Sequence, residues 1–312
     1  MTNFVEFPKL GIGFNVNRVA FSIGSLNVYW YGVIIGAGMI LALMYVFSKS
    51  DEFKLNQDRM IDVILLTTLC AIACARAYYV IFAPFKYDSV WDMINIRDGG
   101  LAIYGAVIGA FVFGALICKW RKVPILPMFD LASIGFLIGQ GIGRWGNFVN
   151  QEAFGTNTDL PWGMFSEATS AYLNSVQGTL AAQGITVNPM MPVHPTFLYE
   201  SIWCLIGFAL LALYVKHRRF DGEIMLMYVM WYGIGRFGIE ALRTDSLMTG
   251  FLGLRTSQLV AAVSVLAAFG IWLFCRIKGK KREIVIEASI ANEVDSNEQT
   301  QEAAQEQDSE VQ

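Results

Sequence analysis

The long apolar runs of this chain constrain its fold more than any other feature. Stretches near 27–47, 60–82, 101–119, 125–143, 197–215, 223–241 and 254–276 each approach the ~20 residues that a helix needs to cross a bilayer. Inside lipid a backbone must satisfy its own polar groups, and continuous apolar runs of this length do so as helices rather than barrel strands. Composition agrees, since 55% of the 312 residues are hydrophobic and only 16% are charged, against about 25% charged in a soluble domain. The expected fold class is an all-α integral membrane protein with seven transmembrane helices. Its fourth run is the least clear, because Asp130 and several glycines dilute it.

Basic residues orient these spans. One set of loops, with the chain end, carries Lys49, Lys54, Arg59, Lys119, Arg121, Lys122, Lys216, Arg218, Arg219, Arg276, Lys278, Lys280, Lys281 and Arg282. The other side holds Lys9, Arg18, Lys86, Arg97, Arg144, Arg243 and Arg255. The positive-inside rule therefore places the N-terminus outside and the C-terminus in the cytoplasm, which requires an odd number of spans. Residues 1–26 are turn-rich and lack the basic n-region of a signal peptide, so they read as an extracytoplasmic interfacial segment. The membrane domain covers 27–276. Its outside insertion at about 156–193 forms a small extracytoplasmic arm or head. Residues 277–312, rich in Glu, Gln, Asn and Ser, read as a disordered acidic cytoplasmic tail, and the net charge of −3 owes much to them.

A charge at the centre of a membrane helix costs about 2.5–3.5 kcal/mol on insertion scales, so each one needs a partner or a task. With this topology Arg76 sits ~9 Å below the outer end of the second span and Arg236 ~7 Å below that of the sixth, at 1.5 Å rise per residue. Glu240 lies near the outer end of the same span, and the fourth delivers Arg144 and Asn147 to that level. The first span enters with Tyr29-Trp30-Tyr31, the third with Tyr104, and the fifth with the stretch from His194 to Glu200. Six spans thus converge on the outer half of the bilayer.

Plainer readings exist for several of these residues. The aromatics suit an interfacial belt, Glu200 suits a helix cap, and Arg236, Glu240 and Arg243 suit a local ion pair. Arg76 and Arg144 have no acidic residue three or four positions away. Unless they snorkel to the interface, such arginines seek an anion, and a phosphate matches the guanidinium fork. Gly135, Gly139 and Gly143, with Gly105 and Gly109 and with Gly32 and Gly36, give small-residue spacing for close helix approach. The five cysteines (Cys70, Cys74, Cys118, Cys204 and Cys275) lie within or at the ends of spans and read as small apolar filler. Two histidines, His194 and His217, are too few for a histidine-rich metal centre.

The run Gly143-Arg144-Trp145-Gly146-Asn147-Phe148-Val149-Asn150-Gln151-Glu152-Ala153-Phe154-Gly155 is far more specific than any single charge. It resembles the signature of bacterial prolipoprotein diacylglyceryl transferases, Gly-Arg-x-Gly/Ala-Asn-Phe-x-Asn-x-Glu-x-x-Gly, with every fixed position filled. Trp30-Tyr31-Gly32, Gly99-Gly100-Leu101, His194-Pro195, Tyr199-Glu200 and the set Arg236, Glu240 and Arg243 are similar to the same family. The resemblance implies a seven-helix enzyme of the bacterial plasma (inner) membrane. It would move the diacylglyceryl group of phosphatidylglycerol onto the lipobox cysteine of a prelipoprotein, leaving a thioether and glycerol phosphate. Its implied partners are phosphatidylglycerol, lipobox peptides and the lipid bilayer. No cofactor, metal or nucleic acid is implied, and a monomer is expected.

On that resemblance Arg144 and Arg236 hold the phosphate and stabilise the leaving group, while Asn147 and Tyr31 orient the head group. Glu152 and Glu240 position the arginines, or one of them relays the thiol proton. Arg76, Tyr104, His194, Arg243, Asn150 and Gly155 complete the substrate side. Many relatives carry a histidine where this chain has Tyr104, and a tyrosine is a poor base at neutral pH. Either that position is not the general base or another group, such as His194, replaces it. A transporter or flippase binding an anionic head group is the competing class. The missing internal repeat and the skew of polar residues to the outer half oppose it. An inactive lipid-binding relative is the third reading.

Overall fold

Apolar helices dominate the chain, and except at the end of α5 their boundaries follow the apolar runs to within a few residues. A computed structural model describes residues 2–85, 87, 89–96, 99–244 and 255–277, so the tail expected beyond Ile277 lies outside the described residues. The long helices are α1 Trp30–Ser48, α2 Gln57–Ile81, α4 Ile103–Trp120, α5 Ile125–Asn150, α7 Thr196–Tyr214, α8 Glu223–Glu240 and α9 Thr256–Ile277. The short α3 Val90–Ile94 and the intervening α6 Glu167–Ala182 lie between them. Six of the long helices, all but α8, are long and apolar enough to cross a membrane. With 18 residues α8 has the length, but Glu223, Arg236 and Glu240 keep it from qualifying on composition.

The fourth apolar run, the weakest in sequence, becomes the central helix. Over half of the α5 span is buried inside the protein, against 11% for α1, and α5 packs on α1, α4, α7 and α8. Its polar and small residues face protein rather than lipid, which is why hydropathy understates it. Gly135 approaches Val46 and Ala42, Gly38 of α1 approaches Ile142, and Gly146 lies under the Tyr31 ring. The helix also runs seven residues past the expected end at 143. Arg144, Asn147 and Asn150 are therefore helical.

Two further contacts fix α8. Asp130 is fully buried in α5 and accepts hydrogen bonds from the backbone N–H groups of Gly222 and Met225, both 2.8 Å. It thus caps the N-terminus of α8 from another helix. Midway along, Trp203 of α7 and Trp231 of α8 donate indole N–H bonds to each other's carbonyl oxygens at 2.9 Å. Their rings stack 4.3 Å apart, each indole filling the notch left by a glycine on the facing helix, Gly207 or Gly235.

The N-terminal segment departs from an all-α fold. It forms two antiparallel hairpins, β1 Thr2–Phe7 with β2 Ile12–Asn17 and β3 Val19–Ile23 with β4 Leu26–Tyr29. The short strand β5 Phe165–Ser166 extends the first sheet in the order β2-β1-β5. The insertion folds over it through α6, opened by a reciprocal Ser166–Thr169 capping box. Val5, Val16, Leu173, Val187 and Val193 join Phe148 of α5 and Phe197 of α7 in one apolar cluster. Ile12-Gly13-Phe14-Asn15-Val16-Asn17 of β2 alternates apolar and polar residues, a strand signal that the expectation of a turn-rich interfacial segment passes over.

The α7–α8 contact predicts a contrast between neighbouring glycines. A methyl at Gly235 overlaps the Trp203 indole, whereas at Gly238 it meets nothing. Gly235→Ala should destabilise the protein by about 1–3 kcal/mol, read as a lower thermal-unfolding midpoint in detergent, and Gly238→Ala should leave the midpoint unchanged or higher.

Candidate functional site

Three helices bring charge together at the end of the bundle that carries the strands. Arg144 projects from α5, Glu200 from the second turn of α7, and Arg236 and Glu240 from the last turns of α8. Glu200 is buried and shared: Arg144 lies 2.6 Å from one carboxylate oxygen and Arg236 3.5 Å from the other. Tyr232 donates its hydroxyl to Glu200 at 3.2 Å. Arg236 also lies 2.6 Å from Glu240, one turn along its own helix, and Arg243 approaches Glu240 at 4.0 Å. The backbone carbonyl of Glu240 accepts a further bond from Arg255.

This network corrects part of the sequence reading. Arg144 has no local acidic partner, yet it has one from another helix. Glu200, which carries part of the family resemblance but also suits a plain helix cap, is the hub. Sequence held one clue to it: an acid inside the fifth span facing a layer where arginines outnumber acids. Glu200 and Glu240 thus each take up arginines from more than one position. The side chains of Arg144 and Arg236 remain 22% and 20% exposed, so an anion can reach both.

The end of α5 carries the second half of the site. Gln151 and Ala153 take left-handed backbone conformations, φ +54° and +57°, which only glycine adopts without cost. Their turn reverses the chain and points Glu152 back at the helix, where it accepts bonds from the side-chain amides of Asn147 at 2.9 Å and Asn150 at 3.3 Å. Asn147 in turn accepts from Arg144 at 3.4 Å. Tyr31 lies on Gly146, one residue from Asn147. Arg144, Asn147, Asn150, Glu152 and Tyr31 therefore form one continuous surface.

Other expected site residues stand in different surroundings. Arg76 donates to four backbone carbonyls, Asp92, Met93, Gly99 and Gly100, at 2.6–3.0 Å, and lies over the Tyr79 and Tyr87 rings. It staples the segment between α2 and α4, so its donors are engaged without an added anion. Tyr104, in the first turn of α4, is exposed. His194 contacts the Tyr199 hydroxyl at 3.1 Å, and that hydroxyl accepts the Trp162 indole N–H at 2.8 Å. Burial holds the His194 imidazole below its ordinary pKa, keeping it neutral at pH 7. Gly155 is buried between His194 and the Leu242 carbonyl, where no side chain fits, and it pairs with Arg243 in an isolated β-bridge. Its contribution is close backbone approach. Among the described residues no His, Cys, Asp or Glu cluster could hold a metal ion.

Comparison with known proteins agrees with the geometry. The prolipoprotein diacylglyceryl transferase family model matches residues 18–274. The phosphatidylglycerol–prolipoprotein diacylglyceryl transferase 1 of Clostridium perfringens is 42% identical over 269 residues, covering 86% of this chain and 97% of that one. The corresponding enzymes of Bacillus velezensis and Limosilactobacillus reuteri are each 40% identical over 272 residues, covering 86% of this chain and 95% and 94% of theirs. With a match this long, to a family whose signature residues here close on one charged site, the chain belongs to the prolipoprotein diacylglyceryl transferase family.

Proposed function

We propose that this protein transfers the sn-1,2-diacylglyceryl group of phosphatidylglycerol to the cysteine thiol of a prelipoprotein lipobox. The observation that carries this reading is the pair of guanidinium groups, Arg144 and Arg236, that Glu200 holds side by side while both stay partly exposed. Two guanidinium forks fixed in one orientation match the oxygens of an anionic phosphate. The protein would lie in the bacterial plasma membrane with seven spans, α8 included. Residues 1–26 and the insertion would face outward at the interface, and the site would open toward the outer leaflet. It would act as a monomer without a cofactor.

In the reaction the thiol sulfur attacks the glyceryl carbon that bears the phosphate ester. A C–S bond forms, the C–O bond breaks with its electron pair on oxygen, and glycerol phosphate leaves while the thiol loses its proton. Arg144 and Arg236, already oriented by Glu200, hold the phosphate and stabilise charge growing on the departing oxygens. Glu200 and Glu240 are each committed to two arginines. Glu152 accepts its hydrogen bonds from amides and forms no ion pair among the described residues, and so of the two candidate carboxylates it is the better proton relay. Asn147 and Tyr31 orient the head group with neutral hydrogen bonds. Tyr104 and His194 stand apart from the charged network and are assigned no proton transfer.

The direct test incubates the purified protein with phosphatidylglycerol vesicles and a synthetic lipobox peptide and then weighs the peptide. One diacylglyceryl mass should appear on the cysteine and be absent from a Cys→Ser peptide. No gain in mass while phosphatidylglycerol stays bound would replace the transferase with a lipid-binding or transport role. Arg144→Lys and Arg236→Lys should each lower kcat/KM about 10–100-fold, since a point charge loses a charged hydrogen bond worth about 1.5–3 kcal/mol. Full activity in both would remove the assigned role. His194→Gln should keep most activity where Glu152→Gln loses it, and the opposite order would move the proton relay to His194.

A further inference from the structure

Arg18 stands where the two hairpins meet, outside every motif used so far. Its backbone carbonyl accepts the N–H of Trp30 at 2.9 Å, fixing it to the start of α1. Its guanidinium reaches across to the carbonyl of Asn150, the last residue of α5, at 2.6 Å. A cation there also suits the negative end of the helix dipole. The Nε of Arg18 is buried and meets no partner among the described residues, so one carbonyl oxygen is the neutral counterpart of a full positive charge.

Arg18 also walls a groove of about 510 Å³ together with Tyr31, Gly32, Asn150 and Glu152. This groove continues the charged site, because Glu152 is tied through Asn147 to Arg144. A lipid whose phosphate lies on Arg144 and Arg236 would extend the rest of its head group toward it. Glu152 is exposed there. Alone, that carboxylate would accept the hydroxyls of a polyol, but it would attract an ammonium group more strongly. A fixed positive charge in the same groove opposes the ammonium and leaves the uncharged polyol unaffected.

We propose that Arg18 is a specificity-determining residue, excluding lipids whose head group ends in an ammonium from the groove beside Glu152 and thereby favouring a head group ending in an uncharged polyol. The assignment rests on the phospholipid-donor reading above. It makes the N-terminal hairpins part of substrate selection.

The test is a binding competition that does not depend on turnover. The wild-type chain and its Arg18→Lys, Arg18→Gln and Arg18→Glu variants are offered equimolar phosphatidylglycerol and phosphatidylethanolamine in detergent micelles. Bound lipids are then counted by native mass spectrometry. The ratio of bound phosphatidylglycerol to phosphatidylethanolamine should stay near wild type in the lysine variant. It should fall at least about fivefold in the glutamine variant, fall further in the glutamate variant, and differ less at high salt. A ratio that is flat from lysine to glutamine overturns the proposal, and that pair decides even where the charge reversal fails to fold. Peptide lipidation by the wild type, run in parallel, separates the two claims. An active wild type with a flat series removes only the role of Arg18, and an inactive wild type removes the donor reading on which it rests.

Discussion

The sharing of one buried carboxylate, Glu200, between arginines from two other helices organises the functional end of this protein. Leaving Arg144 and Arg236 without it would place two like charges side by side in a region with little water, at a cost of several kcal/mol. With it, α5, α7 and α8 are held in one relative rotation. The other contacts between these helices serve the same register. Trp145 of α5 donates to Ser201, next to Glu200. The paired indoles of Trp203 and Trp231 lock α7 to α8 below the site, and Asp130 fixes where α8 begins. Ion pairing, indole hydrogen bonds and glycine notches act together because hydrophobicity supplies no net attraction between helices in lipid.

Around this rigid centre Arg144 and Arg236 stay partly exposed while Glu200 orients both. That arrangement stabilises negative charge through groups already in place, which is what the departure of a phosphate requires. The two left-handed residues at the end of α5 give up local stability to turn Glu152 back onto the helix. A carboxylate placed there is hydrogen-bonded by amides, whereas Glu200 and Glu240 are ion-paired to arginines.

Much of the architecture was legible in the chain because lipid leaves a sequence few options. The apolar runs set the helices, and the thirteen-residue run named the family. The same reasoning misjudged elements whose surroundings are protein. α5 looked weak because its glycines and Asp130 face neighbouring helices, and it ran on through Asn150 because that burial continues. Strands β1 to β5 escaped notice beside the far longer spans, although β2 alternates apolar and polar over its six residues. Arg76 looked like an anion seeker, since backbone carbonyls of α3 and of Gly99 and Gly100 leave no trace in local spacing.

By itself the sequence determined the helical membrane architecture, the family, and the collection of arginines, amides and acids at one level of the bundle. Those follow from local quantities: run length, rise per residue, and the cost of charge in lipid. Only the tertiary structure decided which acid serves which arginine, that Glu200 is the hub while Arg76 is a staple, and that the N-terminal hairpins bring Arg18 to the groove. Pairing across helices depends on their rotation and approach, which glycine notches and interhelical hydrogen bonds set, and neither is encoded in the spacing along any one segment.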